Sequence, residues 1–230
     1  MEYVEEDPCC ICLEDLPKNE EIVQWAWCCG KGYHVECVKI FFSSNMTYEQ
    51  KSKCPHCQTK LATSKEETFK RTLAWAEKGK AIAQSNLGFM YENGYGVEQS
   101  YEKAVEYYTM AAEQGHADAQ RNLGVMYENG YGIEQSYKKA FEYYTMAAEQ
   151  GDANAQCNLG FMYEHGQGVE QSCEKFVEYY TMAAEQGDAR AQCNLGVMYD
   201  HGYAVEQSYE KAFEYYTMAA KQGDADAQCN

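Results

Sequence analysis

Residues 122–151 read NLGVMYENGYGIEQSYKKAFEYYTMAAEQG, and three close copies of this stretch occur in the same chain. The copies begin at Asn86, Asn158 and Asn194, so the sequence repeats with a period of 36 residues. A period in this range is typical of stacked helical repeats, in which one unit cannot bury its apolar face alone. The predicted fold class for most of the chain is therefore an all-α solenoid, which offers a binding platform.

Each repeat is predicted to contain two helices. In the second copy the first helix covers about residues 119–128, with Asp118 as its cap and Gly130 at its left-handed end. Ser136 is predicted to cap the second helix, which runs to Gln150 and stops at Gly151.

The pattern inside the helices predicts how they pack. One apolar stripe of the second helix has the spacing i, i+3, i+4, i+7 and i+11. Its members are Tyr137, Ala140, Phe141, Tyr144 and Ala148. Gly124 lies inside the first helix, where it costs about 1 kcal/mol relative to alanine. Because a glycine recurs there in every copy, we expect a helix crossing too close for a side chain, and we expect tyrosine pairs such as Tyr143 and Tyr144 to fill the core and the groove.

The segments AQRNLGVMY (119–127), GYGIEQSYKKA (130–140) and YYTMAAEQG (143–151) resemble Sel1-like repeats, relatives of the tetratricopeptide repeat. The resemblance spans residues 81–223 and implies a right-handed solenoid that scaffolds protein complexes. The predicted units are a connecting helix of a partial repeat (61–80), four repeats (81–115, 116–151, 152–187 and 188–223) and the start of a further repeat (224–230). Ser64 is the expected cap of the connecting helix, over 65–78. The incomplete repeat predicts either a fragment of a longer protein, which we favour, or a last face that pairs with a partner.

Three cysteines occupy one equivalent position of successive repeats: Cys157, Cys193 and Cys229. Equivalent positions in stacked repeats lie about 10 Å apart, which exceeds the reach of a disulfide. We therefore expect tolerated small residues rather than a bridge. Variable side chains at this position, among them Ser85 and Arg121, are expected to face the groove, whereas His165 and His201 are expected to be solvated.

Another eight cysteines crowd the first quarter of the chain, which has few large aliphatic residues. They include two C-x-x-C pairs, formed by Cys9 with Cys12 and by Cys54 with Cys57, and WCCGKGYHVEC (27–37) lies between these pairs. Such spacing predicts two tetrahedral Zn²⁺ ions as cofactors. Metal binding would supply the folding free energy that a small core cannot, on the order of 10 kcal/mol per site.

The stretches CCICLED (9–15), CGKGYHVEC (29–37) and CPHC (54–57) resemble a RING finger, so residues 1–60 are interpreted as a RING-like domain. The resemblance implies two interleaved zinc sites, a cross-brace. The first comprises Cys9, Cys12, His34 and Cys37, and the second comprises Cys28, Cys29, Cys54 and Cys57. It also implies that Ile11, Phe41 and Pro55 dock a ubiquitin-conjugating enzyme. The chain departs from the pattern at Lys31, which replaces a ligand histidine, and at Gln58, which replaces an arginine of active ligases.

Composition narrows the possible partners and compartments. The net charge of −17 leaves no basic face for phosphates, so nucleic acid is not an expected partner. No apolar run approaches the roughly 18 residues that span a bilayer, and the acidic start is unlike a secretory signal. We therefore expect no membrane partner and a cytoplasmic or nuclear location, where a disulfide framework is uncommon.

The leading functional hypothesis is a zinc-binding adaptor of the RING ubiquitin-ligase type. The finger would recruit the conjugating enzyme and the repeats would hold a protein client. Ligases of this type act by positioning the reactants, so we expect no covalent catalytic residue. Two alternatives stay open. One is a non-catalytic repeat scaffold, which Lys31 and Gln58 favour, and the other is a histone reader with a PHD-like finger.

Overall fold

A computed structural model of the chain describes residues 23–26, 31–34 and 64–221. The first two segments are the strands β1 (Val23–Ala26) and β2 (Lys31–His34), which pair antiparallel. Their register places the Cα of Val23 opposite His34 and that of Ala26 opposite Lys31.

Residues 64–221 form nine helices that follow one another in pairs. The helices are α1 (Lys65–Ala76), α2 (Ala81–Asn93), α3 (Tyr101–Ala112), α4 (Ala117–Asn129), α5 (Tyr137–Glu149), α6 (Ala153–His165), α7 (Cys173–Glu185), α8 (Ala189–His201) and α9 (Tyr209–Ala220). Each helix packs on the next one along the chain, as expected for a stacked array. We call α2, α4, α6 and α8 the first helices and α3, α5, α7 and α9 the second helices. Helix α1 corresponds to the second helix of a preceding unit, and Ser64 caps it as predicted.

The ends of the helices follow from local residue chemistry. Ser136 accepts a hydrogen bond from the Lys139 amide at 3.4 Å, and Gly130 ends α4 with a φ of 70°, both as predicted. The predicted cap Asp118 is wrong, because α4 begins two residues earlier and His116 Nδ1 accepts from the Ala119 amide. Asp118 lies in the first turn and pairs with Arg121 instead.

A recurring glycine and tyrosine set the distance between the two helices of each repeat. A Cβ built on Gly124 would lie 2.6 Å from the ring of Tyr144, which is fully buried on α5. The same contact recurs between Gly88 and Tyr108. The predicted close crossing is therefore confirmed, and a methyl group at Gly124 would force a buried ring to move.

The other tyrosine of each pair lies nearer the surface. Tyr143 is half-buried and stacks on Tyr127 with ring centroids 5.6 Å apart, while Lys139 lies 4.9 Å from the Tyr127 centroid. Both tyrosines of a pair thus contribute to packing, as the sequence predicted.

Buried glutamines fasten each repeat to the preceding one. Gln120 donates from Nε2 to the Ala112 carbonyl at 3.2 Å, across the junction of the first two repeats. Its own oxygen accepts from Gln150 Nε2 at 2.6 Å, within the second repeat. Gln84 and Gln156 repeat both contacts at their own junctions. In each case the amide nitrogen and the amide oxygen of the glutamine bond to groups at equivalent positions of the repeat. Because buried polar atoms require such partners, these contacts fix the stacking register.

Candidate functional site

The first helices present one continuous surface, which we call the first-helix face. It consists of two residues from each first helix: Asn86 and Phe89, Asn122 and Val125, Asn158 and Phe161, and Asn194 and Val197. Polar contacts show that neighbouring first helices lie side by side. The Arg190 guanidinium on α8 contacts the side-chain oxygens of Asn154 at 3.2 Å and Asn158 at 3.4 Å, both on α6.

An apolar row runs along the first-helix face, and three of its four members are exposed, while Val125 is half-buried. Phe89 is 52% exposed, and Phe161 and Val197 are about 40% exposed, although each belongs to a helix whose opposite side is buried. His165 stacks on Phe161 with centroids 4.1 Å apart and its Nδ1 lies 3.0 Å from the Phe161 carbonyl. His165 and His201 are both exposed, so their predicted solvation is confirmed.

The second helices present a more charged surface, although one methionine is exposed on each of them: Met110, Met146, Met182 and Met218. On α5 the exposed positions include Lys138, Lys139, Glu142 and Glu149. Charged side chains at the positions that face solvent are typical of an outer surface without a partner, whereas exposed aromatic rings beside neutral amides are typical of protein interfaces. The first-helix face is therefore the better candidate for binding.

The asparagine row is held in place from below by buried tyrosines. The Tyr144 hydroxyl donates to a Glu128 carboxylate oxygen at 2.6 Å. Burial raises the pKa of Tyr144 well above its usual range, and the negative charge of Glu128 raises it further, while a hydrogen bond from Asn158 opposes the shift. Asn122 and Asn194 hold the same relation to Tyr108 and Tyr180. These three asparagines thus have fixed positions before any partner arrives, whereas Asn86 donates to the Ile82 carbonyl of its own helix.

The repeat position that holds Ser85, Arg121, Cys157 and Cys193 is more buried than the sequence analysis predicts. Ser85 and Cys157 are buried, and Arg121 and Cys193 are half-buried, so they support the first-helix face more than they form it. Arg121 bridges two repeats, because its guanidinium contacts Asp152 at 3.1 Å and Asp118 at 3.0 Å.

The cysteines of the repeats differ in their chemical state. Cys157 and Cys173 carry free thiols, and burial raises the pKa of Cys157 to about 12. Such a thiol stays protonated at neutral pH and is a poor nucleophile. Cys193, in contrast, forms a disulfide, so the expectation of an unbridged small residue is wrong at this position.

Of the eight predicted zinc ligands, His34 alone lies within the described residues. It is the last residue of β2, while Cys28 and Cys29 belong to the four residues that separate the two strands in sequence. The remaining ligands and the predicted docking residues Ile11, Phe41 and Pro55 lie outside the described residues. Within the described segments, no group of three or more His, Cys, Asp or Glu residues is placed to hold a metal.

Among the described helices, none combines the length and the apolar character that crossing a bilayer requires.

Comparison with known proteins identifies the repeats. The Sel1 repeat family matches four successive units, residues 81–116, 117–152, 153–188 and 189–224. A Sel1 repeat protein from Oxalobacter formigenes is 36% identical with a TM-score of 0.68, over 74% of this chain and 69% of that protein. The protective antigen c5321 of uropathogenic Escherichia coli, described as having an SLR fold, is 35% identical with a TM-score of 0.66, over 72% of this chain and 35% of that one.

The immunity protein Pa5087 from Pseudomonas aeruginosa is 25% identical with a TM-score of 0.51, over 73% of this chain and 62% of that one. No curated protein sequence matches the chain. The four family matches cover more than half of the 230 residues and coincide with the helix pairs α2–α3 to α8–α9. The chain belongs to the Sel1 repeat family.

Proposed function

We propose that this chain is an adaptor whose first-helix face binds a protein client. Sel1 repeat proteins mediate protein–protein interactions, and the exposed aromatic rings of the first helices support this face as the binding surface. The single observation that carries the proposal is the row of exposed apolar side chains, Phe89 and Phe161 above all. Beside Phe161, the amide of Asn158 is hydrogen-bonded to the buried Tyr144. Aromatic side chains in such rows often supply a large share of the binding energy of an interface.

A matched pair of double variants tests the proposal. The full chain would be used as bait in a quantitative pull-down, with Phe89→Ala/Phe161→Ala as the test and Met146→Ala/Met182→Ala as the control. The control residues are exposed to a similar degree on second helices. We expect the test variant to lose specific clients while the control retains them. Equal recovery by both variants, with unchanged unfolding curves, would place the client surface elsewhere.

We further propose that the N-terminal quarter binds two Zn²⁺ ions in a RING-like arrangement and recruits a ubiquitin-conjugating enzyme. Four cysteine or histidine pairs at these spacings support the proposal, because each tetrahedral site takes four such ligands. The β1–β2 hairpin also supports it, since the ligand pair Cys28 and Cys29 stands between the strands in sequence and His34 stands at the end of β2. In this arrangement the chain positions a thioester and supplies no nucleophile of its own.

Metal content and ubiquitin transfer test the two halves of this proposal separately. The purified chain is expected to contain about two zinc ions per molecule. Cys12→Ser should lower this number, whereas Cys173→Ser, which changes an exposed thiol of α7, should not. Autoubiquitination would then be measured with a panel of conjugating enzymes, with Ile11→Ala as the docking variant. Zinc without transfer by any enzyme would favour the non-catalytic scaffold, for which Gln58 and Lys31 give the chemical reason.

A further inference from the structure

A small cavity lies where α8 packs between α7 and α9, away from the first-helix face. Its volume is about 240 Å³. The walls include two tyrosines, a methionine, a lysine and two glutamates: Tyr199, Tyr215, Met218, Lys211, Glu185 and Glu214. Sites for drug-sized ligands have volumes of roughly 300–1,000 Å³, so this cavity suits a smaller molecule.

The aromatic wall of the cavity already holds a positive charge. Tyr199 and Tyr215 stack with their ring planes 7° apart and their centroids 5.8 Å apart. The Lys211 ammonium lies 4.8 Å from the Tyr199 centroid. Because the face of an aromatic ring is negative, it attracts a cation at this distance. The Tyr199 ring is therefore a cation site, and the protein's own lysine occupies it.

The carboxylates of the cavity exceed its positive charge. Glu185 and Glu214 bring two negative charges, whereas Lys211 brings one positive charge. Within residues 64–221, neither carboxylate forms an ion pair. Both act on the same ring, since the pKa of Tyr215 is raised by burial first, then by Tyr199, and then by the charges of Glu185 and Glu214. The cavity therefore has one negative charge that its own side chains leave without a counter-charge.

The preceding repeat shows a second position that this lysine can take. Lys175 and Glu178 of α7 correspond to Lys211 and Glu214 of α9. The Lys175 ammonium contacts a Glu178 carboxylate oxygen at 2.7 Å. Because Lys211 is exposed, it can leave the Tyr199 ring and pair with Glu214 in the same way. Such a move would open the ring face to another cation and leave Glu185 as its counter-charge.

We propose that this cavity binds a quaternary ammonium group, which takes the place of the Lys211 ammonium over the Tyr199 ring. The positive charge of the ligand is attracted by the ring face and by the Glu185 carboxylate. Its alkyl groups contact the tyrosine rings and the flexible Met218 side chain. The group can come from a small molecule such as choline or from a trimethylated lysine of another protein, because the two present the same chemistry.

Ligand-detected NMR titration of the full chain tests the proposed chemistry. The probes are choline and its neutral isostere, in which carbon replaces the nitrogen. We expect choline to bind at least about tenfold more tightly, because the isostere has the same shape without the charge. Equal affinity of the two probes, or binding of neither, would overturn the proposal.

Variants locate the site and test the displacement of the lysine. Glu185→Gln should weaken choline binding about threefold, whereas Glu206→Gln, which removes an exposed charge outside the cavity, should not. Tyr199→Leu should weaken binding about tenfold, with unfolding curves recorded alongside. Lys211→Ala should strengthen binding, because it removes the competing cation. Weaker binding by Lys211→Ala, or equal losses in the two glutamate variants, would refute the proposed site.

A second titration distinguishes the two sources of the ligand. Choline is compared with the amide of acetylated trimethyllysine, and the amide of acetylated lysine serves as the reference. Tighter binding of choline supports a free small molecule, and tighter binding of trimethyllysine supports a modified protein. Equal binding of lysine and trimethyllysine would show that the alkyl groups are not recognised and would contradict the proposal.

Discussion

Ala204 occupies a backbone position that favours glycine, so Ala204→Gly should stabilise the protein. The first three repeats have Gly96, Gly132 and Gly168 there, with φ between 66° and 72°, and Ala204 adopts a φ of 58°. A left-handed conformation costs an L-residue roughly 1–2 kcal/mol. Relief of this cost stabilises the folded state. It is offset by about 0.4–1 kcal/mol, because glycine gives the unfolded chain more conformational freedom than alanine does. The expected increase in the free energy of unfolding is therefore about 0.5–1 kcal/mol.

The assay is urea-induced unfolding followed by circular dichroism, with Gly132→Ala as the reciprocal variant. A Cβ on Gly132 would press on the backbone carbonyl of Tyr101 in the preceding repeat, which cannot rotate away. This variant should lose about 2 kcal/mol or more, since a backbone clash is added to the conformational cost. The reasoning is refuted if Ala204→Gly lowers the midpoint, or if Gly132→Ala leaves it unchanged.

Three further changes are expected to alter stability. Gln167→Tyr should raise the free energy of unfolding by about 0.5–1.5 kcal/mol, because the buried, unbonded Oε1 of Gln167 is replaced by a ring that stacks on Tyr137, as Tyr131 stacks on Tyr101. An unchanged or lower urea midpoint would contradict this expectation. His116→Asp should raise it by about 0.5–1 kcal/mol through a better cap, and a lower thermal midpoint would count against the assignment of His116 as the cap. Burial and the charge of Glu128 raise the pKa of Tyr144 in the folded protein above its value in the unfolded chain. The contribution of Tyr144 to the free energy of unfolding is therefore fully present below about pH 10 and is lost at higher pH, because there the tyrosine of the unfolded chain deprotonates first. Tyr144→Phe should flatten this alkaline loss in urea titrations, and an equally steep loss would disprove the assignment.

Local features of the repeats could be predicted from the sequence because their causes lie within a few residues. Ser136 bonds an amide three residues away, and Gly130 adopts a conformation that few other residues accept. Even the tertiary role of Gly124 was predictable, since an unfavourable helix residue that recurs at the same place in each repeat requires a packing reason.

Other features depend on groups that are distant in sequence. Nothing next to Gln120 indicates that its amide is buried between the Ala112 carbonyl and Gln150, because the acceptor is created by the stacking of two repeats. The sequence predicts Asp118 as the cap of α4 because aspartate is a common capping residue. The observed cap is His116, since a neutral histidine nitrogen also accepts a hydrogen bond from an amide. In the candidate site, the exposure of Phe89 follows only from the packing of its helix.

The glutamine contacts at the junctions make the units interchangeable. Gln84, Gln120, Gln156 and Gln192 all donate to the same carbonyl of the preceding unit, so the chemistry of a junction does not depend on which two copies meet. Removing residues 117–152 would bring Gln156 to the carbonyl of Ala112 that Gln120 now occupies. A unit of 36 residues can thus be added or removed with the same contacts at each junction, so the length of the first-helix face can change without redesign of its interior.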